Sequence, residues 1–248
     1  MAVQRSAVEQ WLYSIPPVTR TLFLASCSLT VLTSLGFLDP MKLLFVPDFI
    51  KEFQVWRLAT AAVFVGGFSF SFLISQILLL KYGATLETQH FSGHQGRADL
   101  TFMLLCCMAL FYACAWLTPR LNFFAYGPSL INVLLYVWSR KNIMTPVSMY
   151  GFQMKAWHLP FALCVFHLVI GQSIVSDLLS IFAGHLYVFL TDIAERCAVF
   201  SLPGIDNRRA HAVGRVNGKR TLQTPNAWSR LFAPAQPHVA RSRGHRLR

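Results

Sequence analysis

Six apolar runs, near residues 20–38, 58–80, 99–118, 122–139, 157–172 and 174–191, constrain this chain more than any other feature. Each approaches the roughly 17–25 residues a helix needs to cross a hydrocarbon layer about 30 Å thick. A soluble core does not require its apolar residues to be bunched in this way. Only 13% of the residues are charged, against about a quarter in a soluble domain, and the mean hydropathy is +0.47. The expectation is an all-α, polytopic membrane protein with six spans. The last two spans are short and separated only by Gly171, Gln172 and Ser173.

Lysine and arginine favour the cytosolic side in short loops. With a cytosolic N-terminus and six spans, every Lys and Arg falls on that side except Lys42, Lys51, Arg57 and Arg120. Both termini are therefore expected in the cytosol. The first twenty residues contain Glu9, Trp11 and Pro16-Pro17 rather than a short basic leader. No cleavable signal is read there, and the first span serves as its own insertion signal. The cysteines (Cys27, Cys106, Cys107, Cys114, Cys164 and Cys197) lie mostly within expected spans and form no CxxC pair. They read as small apolar residues, not as a disulfide framework or zinc site.

The chain divides into three regions. Residues 1–19 form an interfacial N-terminal segment, with Val3, Ala7, Trp11 and Ile15 at four-residue intervals. "IPPVTR" ends that element, because a residue before proline avoids helical angles, and Thr19 is placed to cap the next helix. Residues 20–195 form the membrane domain. Within it the stretch 39–57, "DPMKLLFVPDFIKEFQVWR", is too charged to span and too apolar for a solvated linker. It reads as an interfacial loop on the non-cytosolic side, with Leu43, Leu44, Phe45, Phe49, Ile50, Phe53 and Trp56 turned to acyl chains. Residues 196–248 form a basic tail of little periodicity, expected to be mostly disordered. It reads as solvated, not as an arm for nucleic acid. "NAWSRLF", 226–232, is the piece expected to order, as a short docking motif.

Polar residues inside spans are costly enough to be site candidates by default. Here they are Asn132, His158, His167, Asp177, His185 and Asp192, with His185 in the middle of the apolar stretch "SDLLSIFAGHLYVFLTD". Metal binding needs converging ligands, and no two histidines stand four apart inside a span. His90 and His94 do, but Gly93 interrupts them in a polar loop. No metal or cofactor is expected. A proton relay wants carboxylates at mid-membrane depth, whereas Asp177 and Asp192 sit toward span ends. Intramembrane proteolysis is the sharper rival, since a serine and a histidine on neighbouring helices suffice if they come within hydrogen-bond reach. "YGPSL", 126–130, offers Ser129.

Five segments, in order along residues 10 to about 195, resemble the Derlins, inactive relatives of the rhomboid proteases. They are "IPPVTR" (15–20), "VWRLAT" (55–60), "LLYVWSRKN" (134–142), "YGFQMKAWHLPFAL" (150–163) and "AGHLYVFLTD" (183–192). The resemblance implies a rhomboid-like six-helix bundle. It matches Trp56 and Arg57 to the superfamily's tryptophan–arginine pair. It matches Ser180 and Gly184 to the small-xxx-small pair of the sixth span, with one glycine replaced by serine. Three residues before that pair, where an active rhomboid keeps its histidine, this chain has Asp177. His185 lies eight residues further on, about 12 Å along a helix. Aligning "YVW" places Gly127 at the nucleophile position, with Ser129 two residues off. The serine–histidine dyad is thus out of register. His185 then reads as a packed polar residue bonded to a neighbouring helix, and Asn132 as an intramembrane polar group.

The resemblance further implies a non-catalytic part in endoplasmic-reticulum-associated degradation, in which misfolded clients return to the cytosol along a lateral path of thinned bilayer. The partners it implies are membrane lipids, misfolded client proteins, an ER ubiquitin-ligase complex and a cytosolic AAA unfoldase. Assembly with itself or with other Derlins stays open. Some Derlins recruit the unfoldase through a C-terminal motif that starts with phenylalanine and contains spaced glycines. This tail lacks it, so direct recruitment does not carry over. The alternatives are an active intramembrane serine protease and a Derlin redeployed for organelle protein import.

Overall fold

The computed structural model describes residues 6–45, 56–117, 126–149, 151–193 and 225–232, and it is mainly helical. Helix α1 (Ala7–Ser14) starts at Ser6, whose Oγ accepts from the Glu9 amide at 3.2 Å. Helix α2 (Pro17–Ser34) begins with proline, where a missing N–H is no loss. Thr19 does not cap it with its side chain. The cap comes instead from Glu87, whose carboxylate accepts the amides of Val18 (3.0 Å) and Thr19 (2.8 Å) and the Thr19 hydroxyl (2.9 Å). At the far end Gly36 takes φ +77°, and the amides of Gly36 and Phe37 return to the carbonyls of Thr33 and Leu32. That closure satisfies carbonyls the helix would otherwise leave open.

Helix α3 (Pro40–Leu43) is capped by Asp39. It folds the long loop back onto the bundle, so Leu43 and Phe45 are buried and do not face acyl chains. Phe45 meets the rings of Tyr112 and Tyr126 at 4.8 and 5.9 Å. Trp56 is exposed, while Phe49, Ile50 and Phe53 lie outside the described residues. The second expected span is broken into α4 (Trp56–Val63), α5 (Phe70–Leu78), a π turn (Leu79–Gly83) and α6 (Ala84–Gln89). The break falls at Gly66, whose φ of +126° suits only glycine. Its carbonyl accepts from Thr30 Oγ1 at 3.0 Å, and Ser69 caps α5 at the Phe72 amide.

The remaining elements are α7 (Gly93–Leu117), α8 (Gly127–Lys141), strands β1 (Pro146–Met149) and β2 (Phe152–Lys155), α9 (Leu159–Val169), α10 (Ile174–Val188) with a π turn (Phe189–Ile193), and α11 (Asn226–Leu231) in the tail. The β1–β2 hairpin corrects the all-α expectation. It pairs Val147 with Met154 and Met149 with Phe152. Buried Val147 and Met149 alternate with exposed Pro146 and Ser148, and Gly151 turns the chain at φ +86°.

Helix α8 is the axis of the bundle, buried along most of its length and packed against α10, α9, α7, α4 and the α5–α6 stretch. Among the described residues, two helices are long and apolar enough to cross a membrane, Gly93–Leu117 and Ile174–Thr191. Helices α8 and α9 have 15 and 11 residues. They rise only about 22 and 16 Å, less than a full hydrocarbon thickness. In the tail, Trp228 Nε1 donates to Thr101 Oγ1 at 3.2 Å, seating α11 against α7.

Candidate functional site

Helices α8 and α10 form the most extensive contact in the bundle, and its closeness comes from small residues. Ser180 is fully buried, and its hydroxyl donates back to the Ser176 carbonyl at 2.6 Å. A Cβ on Gly184 would stand 2.7 Å from Tyr136 Cδ1, so the tyrosine ring occupies a slot that only glycine leaves open. Small residues at a helix seam allow this approach.

At the end of the seam where α10 begins, three helices converge on one carboxylate. Asp177 stands in the first turn of α10, where the helix dipole favours negative charge. Its Oδ1 accepts from Asn132 Nδ2 on α8 at 2.6 Å. Its Oδ2 lies 2.8 Å from His167 Nδ1 on α9. All three side chains are buried. A buried carboxylate is tolerated when it is paired and hydrogen-bonded, and both of these oxygens are engaged. The α9–α10 turn holds the geometry. Gly171 at φ +79° lets the Gln172 amide return to the His167 carbonyl at 2.8 Å.

Gly127, Ser129 and His185 each have surroundings of their own. A Cβ on Gly127 would lie 2.4 Å from the Phe64 carbonyl oxygen and 2.7 Å from its carbon. Backbone, not a hydroxyl, fills that space. Ser129 is buried on α8, and no described histidine is hydrogen-bonded to it. His185 bonds instead to Tyr136 Oη, 2.8 Å from its Nδ1. That contact is two turns, or about 10 Å, further along α8 than Ser129. The side chain is exposed on the flank of the bundle, not packed inside it.

Arg57 reaches back into the loop, and its Nη1 donates to the carbonyls of Met41 and Leu44, both at 3.3 Å. Thr60 Oγ1 adds a bond to the Leu43 carbonyl at 3.2 Å. The tryptophan of the pair stays outside while the arginine ties α3 to α4. His90 bonds to Asn142 across the α6–α8 joint (3.1 Å) and not to His94. His158 stacks on Trp157 at 3.6 Å. The Asp192 side chain lies outside the described residues. Among those residues, no group of three His, Cys, Asp or Glu side chains is arranged to hold a metal.

Three features escaped the sequence reading. Glu87 was legible only as one of ten acidic residues. Arg140 Nε donates to Tyr136 Oη at 2.9 Å, extending the His185 contact, and the i, i+4 spacing of Tyr136 and Arg140 was its signal. Gln172 Nε2 donates to Ser71 Oγ at 2.6 Å, joining the α9–α10 turn to the start of α5. Helices α5 and α9 share little else.

Two helices long and apolar enough to cross a membrane, with many large apolar side chains exposed along the bundle, fit the class of membrane proteins. A family model, that of the Der1-like family, matches residues 15–226, running past the last of the sequence motifs into the tail. The chain is 36% identical to Derlin-1 of Arabidopsis thaliana over 192 residues, covering 75% of this chain and 70% of the relative. It is 35% identical to Derlin-1 of Homo sapiens over 195 residues, covering 75% and 74%. With Derlin-2 of Oryza sativa subsp. japonica it shares 29% over 245 residues, 95% and 90% of the two chains. This chain belongs to the Der1-like family, the Derlins.

Proposed function

We propose that this protein is a non-catalytic component of endoplasmic-reticulum-associated degradation. In this reading it is a six-span, rhomboid-like bundle in the endoplasmic reticulum membrane, with both termini cytosolic. It helps misfolded proteins return to the cytosol along a lateral path of thinned bilayer. The observation that carries the reading is the buried Asn132–Asp177–His167 cluster. It ties three helices together at the position that would hold a protease's base, while Gly127 is packed against the Phe64 carbonyl.

The short α8 and α9 support local thinning, because a span shorter than the bilayer draws the lipid surfaces together. The thin contact between α5 and α9, bridged by Gln172 and Ser71, is the seam at which a client segment would enter. There it would find hydrogen-bond partners that hydrocarbon lacks. Pulling force comes from outside, through a ubiquitin-ligase complex and a cytosolic AAA unfoldase. The test compares client degradation and client cleavage in cells carrying Ser129→Ala, His185→Ala or Trp56→Ala/Arg57→Ala. Stalled degradation in the loop double variant, with no change in cleavage for Ser129→Ala, is the expected result. A specific cleavage abolished by Ser129→Ala sinks the non-catalytic reading.

A further inference from the structure

Arg140 and His185 lie outside the client path proposed above, and both belong to one hydrogen-bonded chain. Arg140 Nε donates to Tyr136 Oη at 2.9 Å, and that oxygen lies 2.8 Å from His185 Nδ1. The guanidinium carbon stands 5.4 Å from the centroid of the same ring. Arginine has no acceptor, so the phenol oxygen accepts from Arg140. Which partner donates between that oxygen and His185 Nδ1 follows the histidine tautomer. The terminal NH2 groups of Arg140, which this chain presents outward, are donors in either case.

Tyr136 is buried, whereas Arg140 and His185 are exposed on the flank of α8 and α10. His185 shares its face of α10 with Val175, Leu178, Phe182 and Phe189, all exposed. Their spacing of three and four residues makes one continuous stripe, the lipid side of the helix. Donors facing hydrocarbon without a partner cost several kcal/mol, and arginine is among the most expensive residues to leave so. Among the described residues, the buried acidic side chains of the bundle are engaged elsewhere, Glu87 at the start of α2 and Asp177 with Asn132 and His167. Among the described residues Arg140 has no ion pair. An acceptor that carries negative charge satisfies such guanidinium donors best.

We infer that Arg140, Tyr136 and His185 form a binding site for the phosphate of an anionic membrane phospholipid. Arg140 lies in the last turn of α8, a helix about 22 Å long, and so below the headgroups of a bilayer of full thickness. Local thinning around a short span brings the phosphate down to it. Guanidinium donors fork onto phosphate oxygens, and basic pockets between helices on the cytosolic side take lipid headgroups. Lys141 is turned away, with its ammonium 5.8 Å from the Phe91 ring. The inference rests on the membrane reading of α8 and α10.

The full-length protein, extracted in mild detergent and mixed with equal phosphatidylglycerol and phosphatidylcholine, is read by native mass spectrometry. Wild type should retain phosphatidylglycerol about tenfold better than Arg140→Gln, the effect of losing a charge-assisted contact. Tyr136→Phe, which releases both neighbours, should lose less. Equal retention by wild type and Arg140→Gln overturns the site, and displacement of the lipid by millimolar inorganic phosphate overturns the lipid as its source. If Arg140→Gln fails to fold, Arg140→Lys/His185→Leu carries the comparison, and equal retention there is equally fatal. Flotation of wild type with liposomes after an alkaline wash tests the membrane reading separately. Protein that leaves the bilayer sinks that reading, while floating protein with unchanged lipid retention sinks only the phosphate site.

Discussion

The ring of Tyr136 fills the space a side chain on residue 184 would need. A Cβ on Gly184 would stand 2.7 Å from Tyr136 Cδ1 and 3.2 Å from Cγ. The seam between α8 and α10 is therefore set by this pair, and Ser180, one turn earlier, only lines it. Gly184→Ala should lower stability by about 1–3 kcal/mol through overpacking, read as thermal unfolding in detergent. Ser180→Ala should cost little, because its hydroxyl bonds only to its own helix. Adding Tyr136→Leu to Gly184→Ala should recover part of the loss. A neutral Gly184→Ala would show that the helices separate without penalty.

Asp177 holds α8 and α9 through separate oxygens, 2.6 Å to Asn132 and 2.8 Å to His167. Removing the carboxylate leaves two buried polar groups without their shared partner, so Asp177→Ala should cost about 3 kcal/mol or more. Asn132→Ala and His167→Ala each orphan one oxygen and should cost less. A double-mutant cycle between Asn132→Ala and Asp177→Ala should give a coupling of about 0.5–3 kcal/mol. Simple additivity would mean that the contact contributes nothing in solution.

Apolar periodicity and the position of glycines and prolines made most of the helices legible, because each span needs a long run and each boundary a breaker. The second span was misread as continuous because Gly66 and Gly67 are near neutral in hydropathy and leave the apolar run unbroken by charge. The conformational freedom of Gly66, at φ +126°, and not its polarity, breaks the helix. The hairpin was missed because four-residue strands carry almost no periodic signal beside spans of twenty. At the site, Asn132, Asp177 and His167 stood out individually as costly polar residues. Their convergence depends on helix rotation, which sequence spacing within one helix does not specify. Phe45 was assigned to lipid because its loop is amphipathic, whereas the contact that buries it comes from Tyr112 and Tyr126 on distant elements.

Glu87 is one carboxylate serving three donors at the start of α2. Helix caps contribute about 0.5–2 kcal/mol, and charge raises the strength of each bond. Glu87→Gln should therefore loosen the N-terminal turn of α2 while leaving α6 folded. Faster proteolysis near residues 15–20, with a modest drop in the unfolding temperature, would register it. Unchanged proteolysis in Glu87→Gln would assign the cap to the backbone alone.

His90 carries a pH dependence at the α6–α8 joint. Burial first, and then the nearby Lys141 ammonium, hold its imidazole below the ordinary value of 6.5, partly opposed by the side-chain bond to Asn142. A base with a lowered pKa binds protons less readily when folded than when unfolded. Its neutral-ring contribution is thus complete above pH 6.5 and is lost as the pH falls below it. Histidine NMR should place the folded midpoint below 6.5, and Lys141→Ala should move it upward. His90→Gln, which does not titrate, should remove this part of the pH dependence. A midpoint at or above 6.5 would contradict the assignment.

Gln172 and Ser71 make the polar bridge across a seam where α5 and α9 share little else. The donor sits immediately after Gly171, so the closure that ends α9 also aims the Gln172 side chain at α5. One neutral hydrogen bond contributes about 1 kcal/mol, so Gln172→Ala should raise the population of the open seam about fivefold. Amide exchange in the last turn of α9 should accelerate by a similar factor, while the α8–α10 seam stays protected. If the seam admits clients, the same variant should change the rate of client degradation while lowering the unfolding temperature by only about 2–4 °C. Faster exchange throughout the bundle would instead mark the bridge as part of global stability and remove it from any gating role.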